Sequence, residues 1–302
     1  MKIAVFFVGA LHDTGFNACA LEGAEAARDL PGAEIEIVHG TPFDPAAMTS
    51  ALTAAADRSD AVVFIGGQGN RVTPEVAARF PDRAFAIVQG EVTAPNIASY
   101  DVLQEHSAFL AGCLAAKVTR TGTVGHLSGH RVTPGLKGRA AFAAGVAHTD
   151  PAVRLVTGFC GTQDDGAVTE AWARAIAGQG ADVLFTMLNA ARDGATHACR
   201  ATGIRQIGNV GDWTLADPEV YIASAVARID LGVRRAVTDL LAGQTPAAVE
   251  HLGVAEGAVQ LALAPDVDAA LAGELATIAD RIASGALPVP TTYDGPELEL
   301  AS

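Results

Sequence analysis

Asp13-Thr14-Gly15-Phe16-Asn17 brings a carboxylate, an amide and a phenyl ring into one short turn. The turn stands between the apolar run Ile3–Val8 and the helical stretch Ala18–Leu30. At such a strand-to-helix junction the first N–H groups of the helix lack partners within it, so they favour a polar or anionic group. An acceptor, a mixed donor–acceptor and an aromatic face together can hold a flat polar heterocycle. The same residues also suit plain architecture, with Asp13 or Thr14 capping the helix and Phe16 packing in a core. Both readings stand at this point.

Other chemistry-bearing residues are sparser. Gly66-Gly67-Gln68-Gly69 follows an apolar run, but it is not GxGxxG and no Walker-type lysine follows it. It reads as a tight turn that lets the backbone at Gly67 approach a ligand. The four cysteines (Cys19, Cys113, Cys160, Cys199) are scattered, with no CxxC and no paired His spacing. Buried thiols are expected there, with no metal and no disulfide framework. His12, His126, Ser128 and His130 fall in turns, yet no nucleophile elbow or metal spacing arranges them. His126 and His130 read as rim groups, solvated or near a ligand. No enzyme and no cofactor is expected.

The elements that must position these turns alternate. Strand runs are read at 2–8, 33–38, 61–66, 84–88, 123–127, 154–158, 182–186 and 206–208. Helical stretches are read at 18–30, 45–57, 74–80, 102–117, 138–148, 166–179 and 190–202. Strands separated by ten to fifteen helical residues predict βαβ units and parallel sheets. Ligands in such sheets bind beyond the carboxyl ends of the strands. Two alternating sets meet at Val118–Gly122. A third segment follows, with a strand at 220–226, a helix carrying Ile229, Val233, Val237 and Leu240, a hairpin at 249–254 and 260–263, and a last helix bearing Leu271, Leu275, Ile278 and Ile282. The Pro-rich, acidic tail from Leu287 on is expected on the surface.

Composition sets the outer limits. With 302 residues, half of them apolar and 5% aromatic, the chain is long enough for one large or two moderate α/β domains. A net charge of −14 argues against nucleic acid or an anionic membrane as partner. No run reaches the roughly 18 apolar residues of a membrane span. Met1-Lys2 leads straight into a strand, with no signal-peptide pattern. The expected place is therefore cytoplasmic if Met1 is the native start, and periplasmic or membrane-anchored outside the cytoplasm if a leader has been removed. No helix-turn-helix segment precedes the first strand, which disfavours a repressor of the sugar-sensing type.

Several segments, in order, resemble one family. Asp13 to Asn17 with Gly23 resembles the D-x-[SG]-F-N…G opening of the basic membrane protein (BMP) family of ABC-transporter substrate-binding proteins, which includes the purine nucleoside receptors. Gln104 to Gly112 resembles its glutamate-then-"LaG" helix, and Val124 to Gly129 the strand opening its second lobe. Gly145 with Pro151, Gly161 to Asp165 and Gly180 to Val183 match later elements in the same order. The resemblance runs over about residues 2 to 285. It implies the type I periplasmic binding protein fold, in which two Rossmann-like lobes are joined by three hinge crossovers and hold a ligand in the cleft they form. The lobes would be 1–119 plus 226–249 and 120–225 plus 250–302.

That resemblance also implies a site. Asp13, Phe16 and Asn17 match the ligand contacts of the nucleoside-binding branch, with Phe16 stacking on the purine. The family's Asp after the fourth strand is Gln89 here, which both donates and accepts where a carboxylate only accepts. Its second stacking aromatic is replaced by Gln163, unless Phe159 or Trp213 takes that face. Asn189 either contacts the ligand or caps the following helix. In the family's "IGvD" element the first acid is Val210, while Asp212 survives two residues on. The lysine expected after the strand at 220–226 is Ala227. Losing an acid and a lysine, each worth about 1.5–3 kcal/mol as a charged hydrogen bond, disfavours a ribose held in the family manner. The ligand expected is a purine base or a similar small planar polar heterocycle, with a nucleoside less suited. The partners expected are that ligand and, if the chain is exported, an ABC permease. The alternative is a cytoplasmic ligand sensor or regulatory protein on the same scaffold.

Overall fold

Lys2–Val8 forms β1, buried from Ile3 onward. A strand apolar on both faces belongs inside a parallel sheet covered on both sides. In the computed structural model, which describes residues 1–300, that sheet and a second one each form the centre of an α/β unit. The first unit comprises Met1–Val102 and Arg228–Leu252, and the second comprises Leu103–Ala227 and the chain from Gly253 on. The chain therefore passes from one unit to the other three times, after Val102, Ala227 and Leu252.

In the first unit, β1 pairs with β2 (Glu34–Thr41) and β3 (Ala61–Ile65), followed outward by β4 (Ala84–Val88), β5 (Ile97–Val102) and β11 (Glu250–Leu252). All five pairings are parallel. Helices α1 (Phe16–Ala26), α2 (Pro45–Arg58), α3 (Gly69–Arg79) and α8 (Ile229–Leu241) cover it. Phe6, Leu52, Val62 and Phe64 anchor one core layer, with the Phe6 and Phe64 rings 5.1 Å apart. Gly23 explains its place in the opening motif: a Cβ there would lie 2.7 Å from the Asp230 Cα, so only glycine lets α1 pack this closely on α8.

The strands of the second sheet are β6 (Thr123–Ser128), β7 (Arg154–Phe159), β8 (Val183–Met187), β9 (Arg205–Val210), β10 (Tyr221–Ala227) and β12 (Val259–Leu263), of which only β12 pairs antiparallel. They run in the order β12-β10-β9-β8-β6-β7. Its helices are α4 (Gln104–Val118), α5 (Thr133–Thr149), α6 (Gly166–Gly178), α7 (Arg192–Thr202) and α9 (Ala269–Ala283).

Two expectations need revision, and one strand was not foreseen. Helix α4 lies in the second unit, so the first passage comes before it, at Val102–Leu103, and not at residue 119. The cause is close packing: Gly112 on α4 meets the Phe142 carbonyl on α5, and Gly145 on α5 meets the Phe109 carbonyl on α4. Burial around most of α4 fits a helix enclosed by its own unit. The expected hairpin does not form, because β11 pairs with β5 while β12 pairs with β10 in the other sheet. Strand β5 was hidden in the sequence, since Ser99 and Asp101 interrupt its apolar pattern; both are buried.

Candidate functional site

Loops that leave the carboxyl ends of β1, β3 and β4 share one edge of the first sheet. Asp13, 1% exposed, accepts from the amides of Gly15 (2.9 Å), Asn17 (3.0 Å) and Ala18 (3.0 Å). It thereby satisfies amides that open α1, which is the capping role. Asn17 is also buried, and its Nδ2 donates to the Val8 and Ala10 carbonyls at 2.8 Å each. Together the two side chains tie the turn to the end of β1. Phe16, between them, stays partly exposed.

Gln89 follows β4 and is 2% exposed. Its Oε1 accepts from the Val102 amide at 2.9 Å, so the side chain joins the ends of β4 and β5. Gly67 sits in the turn after β3, where its carbonyl accepts from Asn70 Nδ2 at 3.0 Å. Asn70 also donates to the Gln89 carbonyl (3.2 Å) and accepts from the Glu91 amide (2.7 Å). It is the hub of this edge, and sequence reasoning missed it. The signal available was an amide directly after a glycine turn.

On the second sheet, Gln163 stands in the loop after β7. Its Oε1 accepts from the Asn189 amide at 3.0 Å, its carbonyl accepts from the Ala191 amide at 2.9 Å, and its side chain packs on Gly129. It knits together the loops after β6, β7 and β8. Asn189 is half-buried, and its carbonyl accepts from the Arg192 amide at the start of α7. Asp212 is exposed and accepts from the Thr214 amide (3.0 Å) and hydroxyl (2.7 Å). Trp213 is folded back over the sheet: its amide donates to Ser224 Oγ (3.0 Å) and its Nε1 to the Asn209 carbonyl (3.1 Å). The buried Arg192 guanidinium lies 3.5 Å from the Trp213 ring centroid, a cation–π contact the sequence did not announce.

Backbone strain gathers on these edges. Among the described residues, the non-glycine positions with positive φ are Thr14 (52°), Gln89 (67°) and Val210 (62°). They follow β1 and β4 and end β9, all at carboxyl-end turns. Val210, β-branched and 4% exposed, is the most costly of the three in this conformation.

His126 does not lie on a rim, as the sequence suggested. It is fully buried on β6 amid Phe142, Phe159 and Phe185, with Nδ1 2.8 Å from Thr157 Oγ1 and Nε2 3.0 Å from Ser128 Oγ. Burial, assisted by the Arg139 charge, pushes its pKa down to about 3. This neutral imidazole links two hydroxyls inside the sheet. Burial also pushes the thiols of Cys19 up to about 11 and Cys199 to about 12, so they remain protonated and unreactive. Among the described residues no group of three or more His, Cys, Asp or Glu is placed to hold a metal ion. No helix among them is long and apolar enough to cross a membrane.

Two mainly parallel sheets carry their polar, strained turns at the carboxyl ends. The family model described as "ABC transporter substrate-binding protein PnrA-like" (Bmp) matches residues 1–292. The chain belongs to the Bmp family. An uncharacterised lipoprotein of Pyrococcus furiosus is 27% identical over 280 residues, covering 86% of this chain and 69% of that protein. A purine-binding protein of Brucella abortus is 24% identical over 154 residues, covering 51% of this chain and 43% of that one. The crystal structure of an ABC-transporter solute-binding protein from Aeropyrum pernix K1 superposes with a TM-score of 0.84 at 22% identity, covering 97% of this chain and 94% of that one. This Bmp protein therefore has the type I periplasmic binding protein fold.

Proposed function

We propose that this chain is the solute-binding component of an ABC importer and captures a planar polar heterocycle of the purine-base class. The observation that carries the ligand class is the β1 turn: Asp13 and Asn17 are buried and bonded to backbone, which fixes the backbone that carries the partly exposed Phe16 at the sheet edge. An aromatic side chain at that edge suits a flat ligand. Gly67 and Gln89 in the same unit, and Gln163, Asn189, Asp212 and Trp213 in the second unit, are the remaining candidate contacts, most of them amides and backbone groups. The purine-binding relative from Brucella supports the same class. Val210 and Ala227 stand where the family pattern has an acid and a lysine for the sugar, which favours a free base over a nucleoside.

Delivery is to a membrane permease, and binding works by stabilising one conformation of the protein over another. The role is capture and not catalysis. Relatives described as lipoproteins favour a place outside the cytoplasm over the cytoplasmic alternative. A thermal-shift screen of purine bases, nucleosides, pyrimidines and other heterocycles tests the reading, since a ligand that binds only the folded state raises Tm. Purine bases should give the largest shift.

A further inference from the structure

The family match ends at residue 292, yet the chain beyond it is not a loose tail. The Leu298 amide donates to the Thr157 carbonyl at 2.7 Å, on β7, the edge strand of the second sheet. Leu298 and Trp172 both pack against the buried cluster that includes Leu127 and Val156. Glu297 accepts from both Arg131 and Arg139. Arg139 is only 5% exposed, and its guanidinium lies 4.6 Å from the Tyr293 ring centroid and 5.1 Å from that of Phe159. Arg131 covers the same Phe159 ring at 4.6 Å. Tyr293 closes the segment on itself by donating to the Pro296 carbonyl at 2.9 Å.

We propose that the β7 edge carries a peptide groove, occupied by the chain's own Tyr293–Leu298 segment, and that this strap holds the rim turn at Gly129–Arg131 in place. Each part of the groove has a distinct task. The open edge of β7 offers backbone acceptors to an extended segment. The Arg131–Arg139 pair takes an acid, because a guanidinium as buried as Arg139 needs a carboxylate partner. The Trp172 side takes an apolar residue directly after that acid. The link to the rim is short: Arg131 lies two residues from Gly129, on which Gln163 and the Thr162 carbonyl pack. The ligand that fits is an extended acidic peptide with the order Glu-Leu. The inference does not depend on which small molecule the protein binds.

Hydrogen exchange tests it without any small ligand. In a variant ending at Thr292, amides at 128–133 and 154–160 should exchange about tenfold faster or more, while the rest of the second sheet keeps its protection. A synthetic peptide spanning residues 291–300, added in trans, should restore protection, and the same peptide with Gln for Glu297 should not. Unchanged exchange at 128–133 in the shortened variant, or no restoration by the peptide, overturns the proposal. If the shortened variant does not fold, the full chain carrying Glu297→Gln decides. Faster exchange confined to the 129–132 turn and the 154–160 edge supports the strap, and unchanged exchange there refutes it.

Discussion

Gln89 Oε1 accepts a hydrogen bond from the Val102 amide at 2.9 Å, joining the residue after β4 to the last residue of β5. Val102 is also the last residue of the first unit before the chain leaves it, so this bond fixes the backbone at a departure point. Gln89 holds φ at 67° to make it. Gln89→Ala would leave the Val102 amide buried without this acceptor while keeping the backbone strain. It should lower unfolding free energy by about 1–3 kcal/mol in urea titration.

Asp13 permits a separation of two roles. Asp13→Ala removes an acceptor from three amides and should cost about 2 kcal/mol, the upper range for a helix cap. Asp13→Asn keeps one side-chain oxygen and should retain a good part of that stability. Binding measured on the Asn variant then isolates the carboxylate. Affinity that falls much further than stability marks Asp13 as a ligand contact as well as a cap.

His126 predicts a pH dependence. Its folded pKa of about 3 is depressed below the ordinary value near 6.5, so the unfolded chain binds a proton that the folded chain refuses. The contribution to stability is therefore full above about pH 6.5 and is lost as pH falls toward 3, with a limiting slope of about 1.4 kcal/mol per pH unit. Unfolding titrations between pH 4.5 and 7.5 should show this slope reduced in His126→Gln. The groups that face it are Arg139 and Glu297, with Thr157 and Ser128 bonded to its ring.

Much of this was legible in the sequence for physical reasons. Parallel strands buried on both faces read as unbroken apolar runs, so β1 and β4 were bounded to the residue. Gly23, Gly112 and Gly145 were visible as motif positions because helix backbones meet there. Strand β5 and the membership of α4 were not legible, since both depend on what a segment packs against and not on its own pattern. The site divides likewise. Residue type showed where polar turns lie, but whether Gln163 or Trp213 faces a ligand or ties loops together depends on distances that no spacing encodes. Asn70 and Arg192 escaped notice because a lone amide or arginine carries no signal until its partners are placed.

Sugar recognition can be tested by restoring the family's charges. Val210→Asp with Ala227→Lys should raise affinity for a purine nucleoside relative to its free base, by about tenfold for one charged hydrogen bond gained. Asp also tolerates positive φ better than Val, so the change at 210 relieves strain as it adds the acid. The pair of dissociation constants, nucleoside and base, on variant and parent provides the check.

The central claim is that a flat purine-class ligand stacks on Phe16. Isothermal titration calorimetry with adenine, guanine and hypoxanthine, their nucleosides, and a monosaccharide addresses it directly, on the parent chain and on Phe16→Ala. At least one purine base should saturate the parent at one per chain, and Phe16→Ala should weaken it about tenfold or more, in line with stacking worth about 1–3 kcal/mol per base. Saturation by the monosaccharide with no response to any purine base or nucleoside would contradict it.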